Sequence, residues 1–161
     1  PLKNRHPNAS QESFEKGNRI LEDNELLPFW VGLGKVGAAI SKVINKEKDV
    51  DLESLFIYSR NNKVIVIEGW MAYYIGVILL NQEHPDISKS EHWILKALEA
   101  DQRNGMKFRL GKDYALYSSL LSRKGAEQEA KMNLKKGIEI LKECGAEGWV
   151  NKYEEELSSL S

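Results

Sequence analysis

"WVGLGKVGAAI", residues 30–40, decides how the rest of the chain is read. It holds Gly32-x-Gly34-x-x-Gly37 followed by Ala38 and Ala39, the spacing of the glycine-rich turn that cradles a dinucleotide pyrophosphate. That turn works only between a buried β-strand and the helix it opens, inside a βαβ unit. The residues ahead of it, "EDNELLPFWV" at 22–31, contain Pro28 and leave too little length for a central strand. Behind it, Asp49, Asp51 and Glu53 stand near the distance expected of a ribose-binding acid, yet no Val/Ile-rich strand leads into them. On a helix the same small residues let a neighbouring helix approach closely. Packing must then offset roughly 1 kcal/mol per glycine relative to alanine. Helix packing is the preferred reading. A nucleotide- or small-molecule-binding segment at Gly32, Gly34 and Gly37 is the alternative.

Outward from this stretch, the chain reads as helical throughout. Helices are predicted over about 9–23, from Pro28 to about Asn45, over 52–61 behind a capping Asp51, and along the apolar run at 64–80. Ser88-x-x-Glu91 has the form of a capping box opening a fifth helix that Gly105 closes. Further helices follow over about 109–124, ending at Gly125, over 127–143, ending at Gly145, and over 147–157. The one β-like run, "VIVI" at 64–67, leads directly into helical periodicity and has no partner strand.

The run "VIVIEGWMAYYIGVILL", 64–80, calls for a membrane check. At 17 residues it sits at the short limit for a span and carries Glu68, so it is expected to be the buried central helix of a soluble stack.

Sliding the chain by 40 residues brings helix pairs into register. Trp30 falls on Trp70 and Leu110, Gly37 on Val77 and Tyr117, and Ile40 on Leu80 and Leu120. In the second helices Phe14, Ser54, Ile94 and Leu134 align, as do Gly17, Ile57, Ala97 and Gly137. One position breaks the pattern: Leu33 and Tyr73 fall on Asp113. Apolar and small residues at a fixed period predict an all-α solenoid of antiparallel helix pairs, each burying its faces against the next. The expected units within one domain of 161 residues are the second helix of a truncated repeat (9–23), helix-pair repeats at 28–62, 64–105 and 109–145, and a capping helix at 147–159.

Bulk composition narrows the function classes. A net charge of −1 argues against a basic nucleic-acid surface or a polybasic membrane patch. A single cysteine, Cys144, rules out an internal disulfide framework and suits a reducing compartment, so a cytoplasmic location is expected. The first 20 residues lack the apolar core of a signal peptide, and the start at Pro1 suggests a fragment of a larger parent.

Little in the sequence suggests chemistry. Glu83-His84 and Glu91-His92 are possible metal-ligand pairs, but they read as solvated polar residues in a loop and at a helix start. Cys144 lies beside Glu143 at a helix end, the opposite of the electropositive setting a nucleophilic thiol needs. No G-x-S-x-G, H-E-x-x-H or Walker-type sequence occurs. No catalytic residue, metal ligand or cofactor is therefore assigned.

The segment "AEQEAKMNLKKGIEILKECGAEGWVNKYEEELSSL", 126–160, and Trp30-x-x-Leu33-Gly34 together resemble a tetratricopeptide-repeat array. Ala130 takes the small position that opens a second helix, with Leu134 and Gly137-Ile138 at the usual offsets. The tail is similar to the C-terminal region of bacterial signalling proteins that join a class III adenylate/guanylate cyclase domain, an AAA-type ATPase domain and tetratricopeptide repeats. MalT-like regulators end in related arrays. The resemblance implies a non-catalytic protein-interaction module for signal transduction, with any cyclase or ATPase activity in another part of the parent. Its partner would be a protein or peptide, another domain of the parent or a second copy, with no nucleic acid and no membrane. Counting Trp30, Trp70 and Leu110 as the fourth repeat position puts Lys35, Met71, Ile75, Ala115 and Ser119 on the concave groove. That groove is weakly charged, so an apolar helix is its expected ligand.

Overall fold

A computed structural model describes residues 7–23, 28–47 and 50–160. All of its regular structure is helical: α1 (Pro7–Asp23), α2 (Pro28–Ile44), α3 (Leu52–Asn61), α4 (Ile65–Asn81), α5 (Ile87–Arg103), α6 (Lys107–Arg123), α7 (Glu127–Glu143) and α8 (Glu147–Ser159). The apolar run at 64–67 belongs to the N-terminal turn of α4 and not to a strand. Among the described residues no helix is long and apolar enough to cross a membrane.

The helix ends follow local chemistry. The Asp51 carboxylate accepts the Ser54 amide N–H at 3.0 Å and so satisfies an orphan donor at the start of α3. At α5 the expected box at Ser88 and Glu91 does not form. Asp86, directly before the first helical residue, accepts the Lys89 N–H at 2.9 Å. Ser88 lies within the first turn instead, and Glu91 turns outward to Lys124, 2.8 Å away.

The three-residue turns after α5, α6 and α7 repeat one solution. Gly105, Gly125 and Gly145 each have φ between +66° and +77°. In the first, the Met106 N–H reaches back to the Asp101 carbonyl at 2.9 Å and the Gly105 N–H to that of Gln102, a Schellman closure. Ala126 to Leu121 and Ala146 to Leu141 reproduce it, each at 3.0 Å.

The most extensive helix contacts are α1 with α2, α4 with α5, and α6 with α7. Each of these seams is lined by glycine. A Cβ on Gly34 would overlap the Asn18 carboxamide of α1, and one on Gly37 would stand 2.6 Å from the Phe14 ring. Gly69 faces the Asp101 carboxyl across the α4–α5 seam, where a Cβ on Gly76 would meet Ile94 at 2.7 Å. Between α6 and α7, a Cβ on Gly137 would lie 2.6 Å from the Gly111 carbonyl oxygen. The helical cost of these glycines is offset by backbones that approach more closely than any side chain would permit.

The core falls into three clusters. Val36 and Ala39 of α2, Leu55 of α3 and Ile67, Met71, Ile75, Ile78 and Leu79 of α4 form one cluster. Leu80, Ile94, Leu98 and Leu120 form the next, and Ala115, Leu134, Ile138, Leu141, Val150 and Tyr153 close the α6–α8 end. α4 touches α2, α3, α5 and α6, which is why it is apolar around most of its circumference.

Candidate functional site

The glycine segment that opened the sequence reading offers no phosphate cradle. Gly32, Gly34 and Gly37 sit within α2, and the space beside them is filled by Tyr58, Asn18 and Phe14 respectively. Asp51, a candidate ribose acid, is used as the cap of α3.

The five residues expected on a groove are not brought together on one surface. Met71 and Ile75 lie at 2% and 0% exposure inside the α2–α4 core, and Ala115 is buried against α7 and α8. They are core residues because α4 and α6 are covered on the side that the tetratricopeptide count assigned to a groove. Ser119 is exposed. Lys35 is half-buried: its ammonium donates to Tyr58 Oη at 2.8 Å and lies 4.9 Å from the ring centroid.

The open side of the same helices carries a different set of residues. A cleft of about 310 Å³ lies between α4, α5 and α6, lined by Trp70, Tyr73, Tyr74, Phe108, Arg109 and Lys112, with Asp101 and Asp113 at its base. Trp70 and Tyr74 pack edge to face with centroids 4.6 Å apart, and Tyr73 stands perpendicular to Tyr74 at 5.0 Å. The Lys112 ammonium lies 4.5 Å from the Trp149 centroid of α8, 5.2 Å from Tyr73 and 6.0 Å from Phe108. Lys152 also lies against Trp149, its ammonium 5.1 Å from the ring centroid. Burial, together with repulsion from Lys152, pulls the Lys112 pKa below the usual lysine range. Arg109 donates to the Val66 carbonyl at 2.7 Å.

Beneath the aromatic wall lie Asp101 of α5 and Asp113 of α6, each 1% exposed. Both carboxyls line the same cleft, each raises the cost of ionising the other, and no donor from any described residue reaches their four oxygens. Two carboxylates so placed cannot both stay ionised at little cost, so one of them holds a proton. Burial is the largest effect raising both pKa values, and the Asp101 charge adds to it at Asp113, whose pKa is pushed up to about 8. Tyr73 and Tyr153, beside them, are likewise held neutral mainly by burial.

A larger depression of about 680 Å³ lies at the opposite end of α4, lined by Val43, Glu47, Asn81 and His84 among others. It brings together helix ends and loop residues with no buried charge, so the smaller cleft is the better candidate. His84 and His92 are both exposed, and Glu91 is engaged by Lys124. Among the described residues no three His, Cys, Asp or Glu side chains converge as a metal site would require. Cys144 is exposed at the end of α7.

The sequence reading missed the acid pair, although two signals pointed to it. Asp101 follows Ile94, Ala97 and Leu98 at helical spacing, on the buried side of α5. Asp113 is the position where the 40-residue register failed, an acid where Leu33 and Tyr73 stand in the preceding units. Comparison with family models, with curated proteins and with solved structures returned no match.

Proposed function

We propose that this chain is a non-catalytic protein-interaction module built as a tetratricopeptide-like solenoid, and that it serves a larger bacterial signalling protein. Support for the solenoid comes from the even beat of its second half. α5, α6, α7 and α8 begin at residues 87, 107, 127 and 147, so successive helix pairs advance by the 40 residues seen in the sequence register. In this reading α2, α4, α6 and α8 are the first helices of successive units and share one face.

The observation that carries the functional reading is the strip on that face. Trp70, Phe108, Lys112, Trp149 and Lys152 run across three alternate helices, and Phe108 and Trp149 lie 6.4 Å apart and partly open to solvent. Partly exposed aromatic side chains brought together in this way supply contact area at low entropic cost, as at protein interfaces. The partner is a protein or peptide segment, another domain of the parent or a second copy of the chain.

A photo-crosslinking residue at Phe108, expressed in the source cell, tests this. A discrete crosslinked partner at Phe108 that disappears on Trp149→Ala is expected, with none from Met132, which is 70% exposed on α7. Equal yields from the two positions, or no discrete product at Phe108, would overturn the reading.

A further inference from the structure

We propose that Asp101 and Asp113 form a proton-operated latch: one proton shared between their carboxyls keeps the α4–α5–α6 junction closed, and its loss loosens the junction and opens the cleft above. This goes beyond the interaction reading and does not depend on it, since the latch would operate whatever occupies the cleft.

The geometry supports it from three directions. First, the pair straddles two helices, Asp101 in the last turn of α5 and Asp113 in the second turn of α6, with a three-residue connection between. Parting α5 from α6 therefore separates the carboxyls. Second, Asp101 is pressed against α4 at Gly69, where no Cβ intervenes, so the same movement frees α4. Third, the neighbouring charges are engaged elsewhere. Arg109 is held by the Val66 carbonyl, and Lys112 by the rings of Tyr73, Phe108 and Trp149. Of the other titratable groups facing the pair, Glu68 of α4 is paired with Arg103 of α5 at 2.5 Å, while Tyr73 and Tyr74 of α4 and Tyr153 of α8 have raised pKa values and stay neutral. None of the described groups donates to the carboxyl oxygens, so the shared proton is the link between them.

The sign of the effect follows from linkage. The closed junction binds the proton more tightly than an open, hydrated one, in which each aspartate returns to its ordinary range near 4. Opening is therefore unaffected below about pH 4 and rises as pH climbs toward the closed-state value of about 8. Above that value it levels off, because the pair is then fully ionised in both states.

Amide hydrogen exchange of the 161-residue chain, corrected for intrinsic rates, tests the latch. Between pH 6 and 8, exchange in the last turn of α5 and the first turns of α6 is expected to accelerate by up to about tenfold per pH unit, flattening above 8, while α7 stays unchanged. Asp113→Asn and Asp101→Asn should each move the flattening point to lower pH, because the partner's charge is gone, and the double variant should remove the pH slope; all three should retain the helical circular dichroism. A flat wild-type profile, a slope that survives in the double variant, or an equal slope in α7 would overturn the proposal.

Discussion

Gly34→Ala and Gly17→Ala make the same chemical change in the interior of two adjacent helices, and opposite outcomes are expected. At Gly17 in α1 nothing lies within 4 Å of an added Cβ, so alanine should stabilise by about 1 kcal/mol through helix propensity alone. At Gly34 in α2 the same Cβ would overlap the carboxamide of Asn18, a residue only 8% exposed. Overpacking of this kind costs roughly 1–3 kcal/mol, and the propensity gain offsets only part of it. The net loss at Gly34 is therefore up to about 2 kcal/mol.

For a chain of this length each kcal/mol corresponds to roughly 2–4 °C in melting temperature, so urea titration with thermal melts resolves the contrast. The background variant Asn18→Ala sharpens it: once the carboxamide is removed, Gly34→Ala should become neutral or stabilising. Equal stabilisation by both alanines would refute the α1–α2 packing, as would a Gly34→Ala penalty that persists without the Asn18 side chain.

Gly69→Ala should destabilise by about 2 kcal/mol, because its Cβ would meet the buried Asp101 carboxyl; denaturant midpoints measure this, and an unchanged midpoint would contradict the seam. Asp113→Asn should stabilise the chain at pH 8 and leave it unchanged at pH 4, as urea titrations at the two pH values would show. The sign is fixed by the raised native pKa, which makes ionisation above pH 4 a penalty on the folded state. Gly105→Ala, at φ +68°, should cost about 1 kcal/mol by strain in the α5–α6 turn, seen as a lower melting temperature. Lys124→Ala should change the melting temperature by no more than about 2–4 °C, because its ion pair with Glu91 is partly open to solvent and worth about 1 kcal/mol at most.

Helix boundaries were legible in the sequence because they are local. Asp51 and the three turn glycines act through their own backbone neighbours, and each closes or opens the helix expected of it. The cap of α5 was misassigned because two acceptors, Asp86 and Ser88, compete within two residues of each other, and only backbone geometry shows which precedes the first turn. The surface register failed for a non-local reason. Met71 and Ile75 count as groove positions only if one side of α4 is open there, and whether it is depends on how α2, α3 and α5 close around it. The acid pair was obscured in a similar way: an aspartate in an amphipathic helix reads as solvated unless its place in the apolar register is given more weight than its charge. At Asp113 the broken 40-residue match was that warning.

The cleft rests on a shared proton between Asp101 and Asp113, and carbon-13 NMR of the aspartate carboxyls observes it directly. Titrated from pH 4 to 9, one of the two carboxyls is expected to keep the chemical shift of a protonated acid through pH 7 and to ionise near 8, with the other shifting in step. Two carboxyls fully ionised by pH 5 would contradict it.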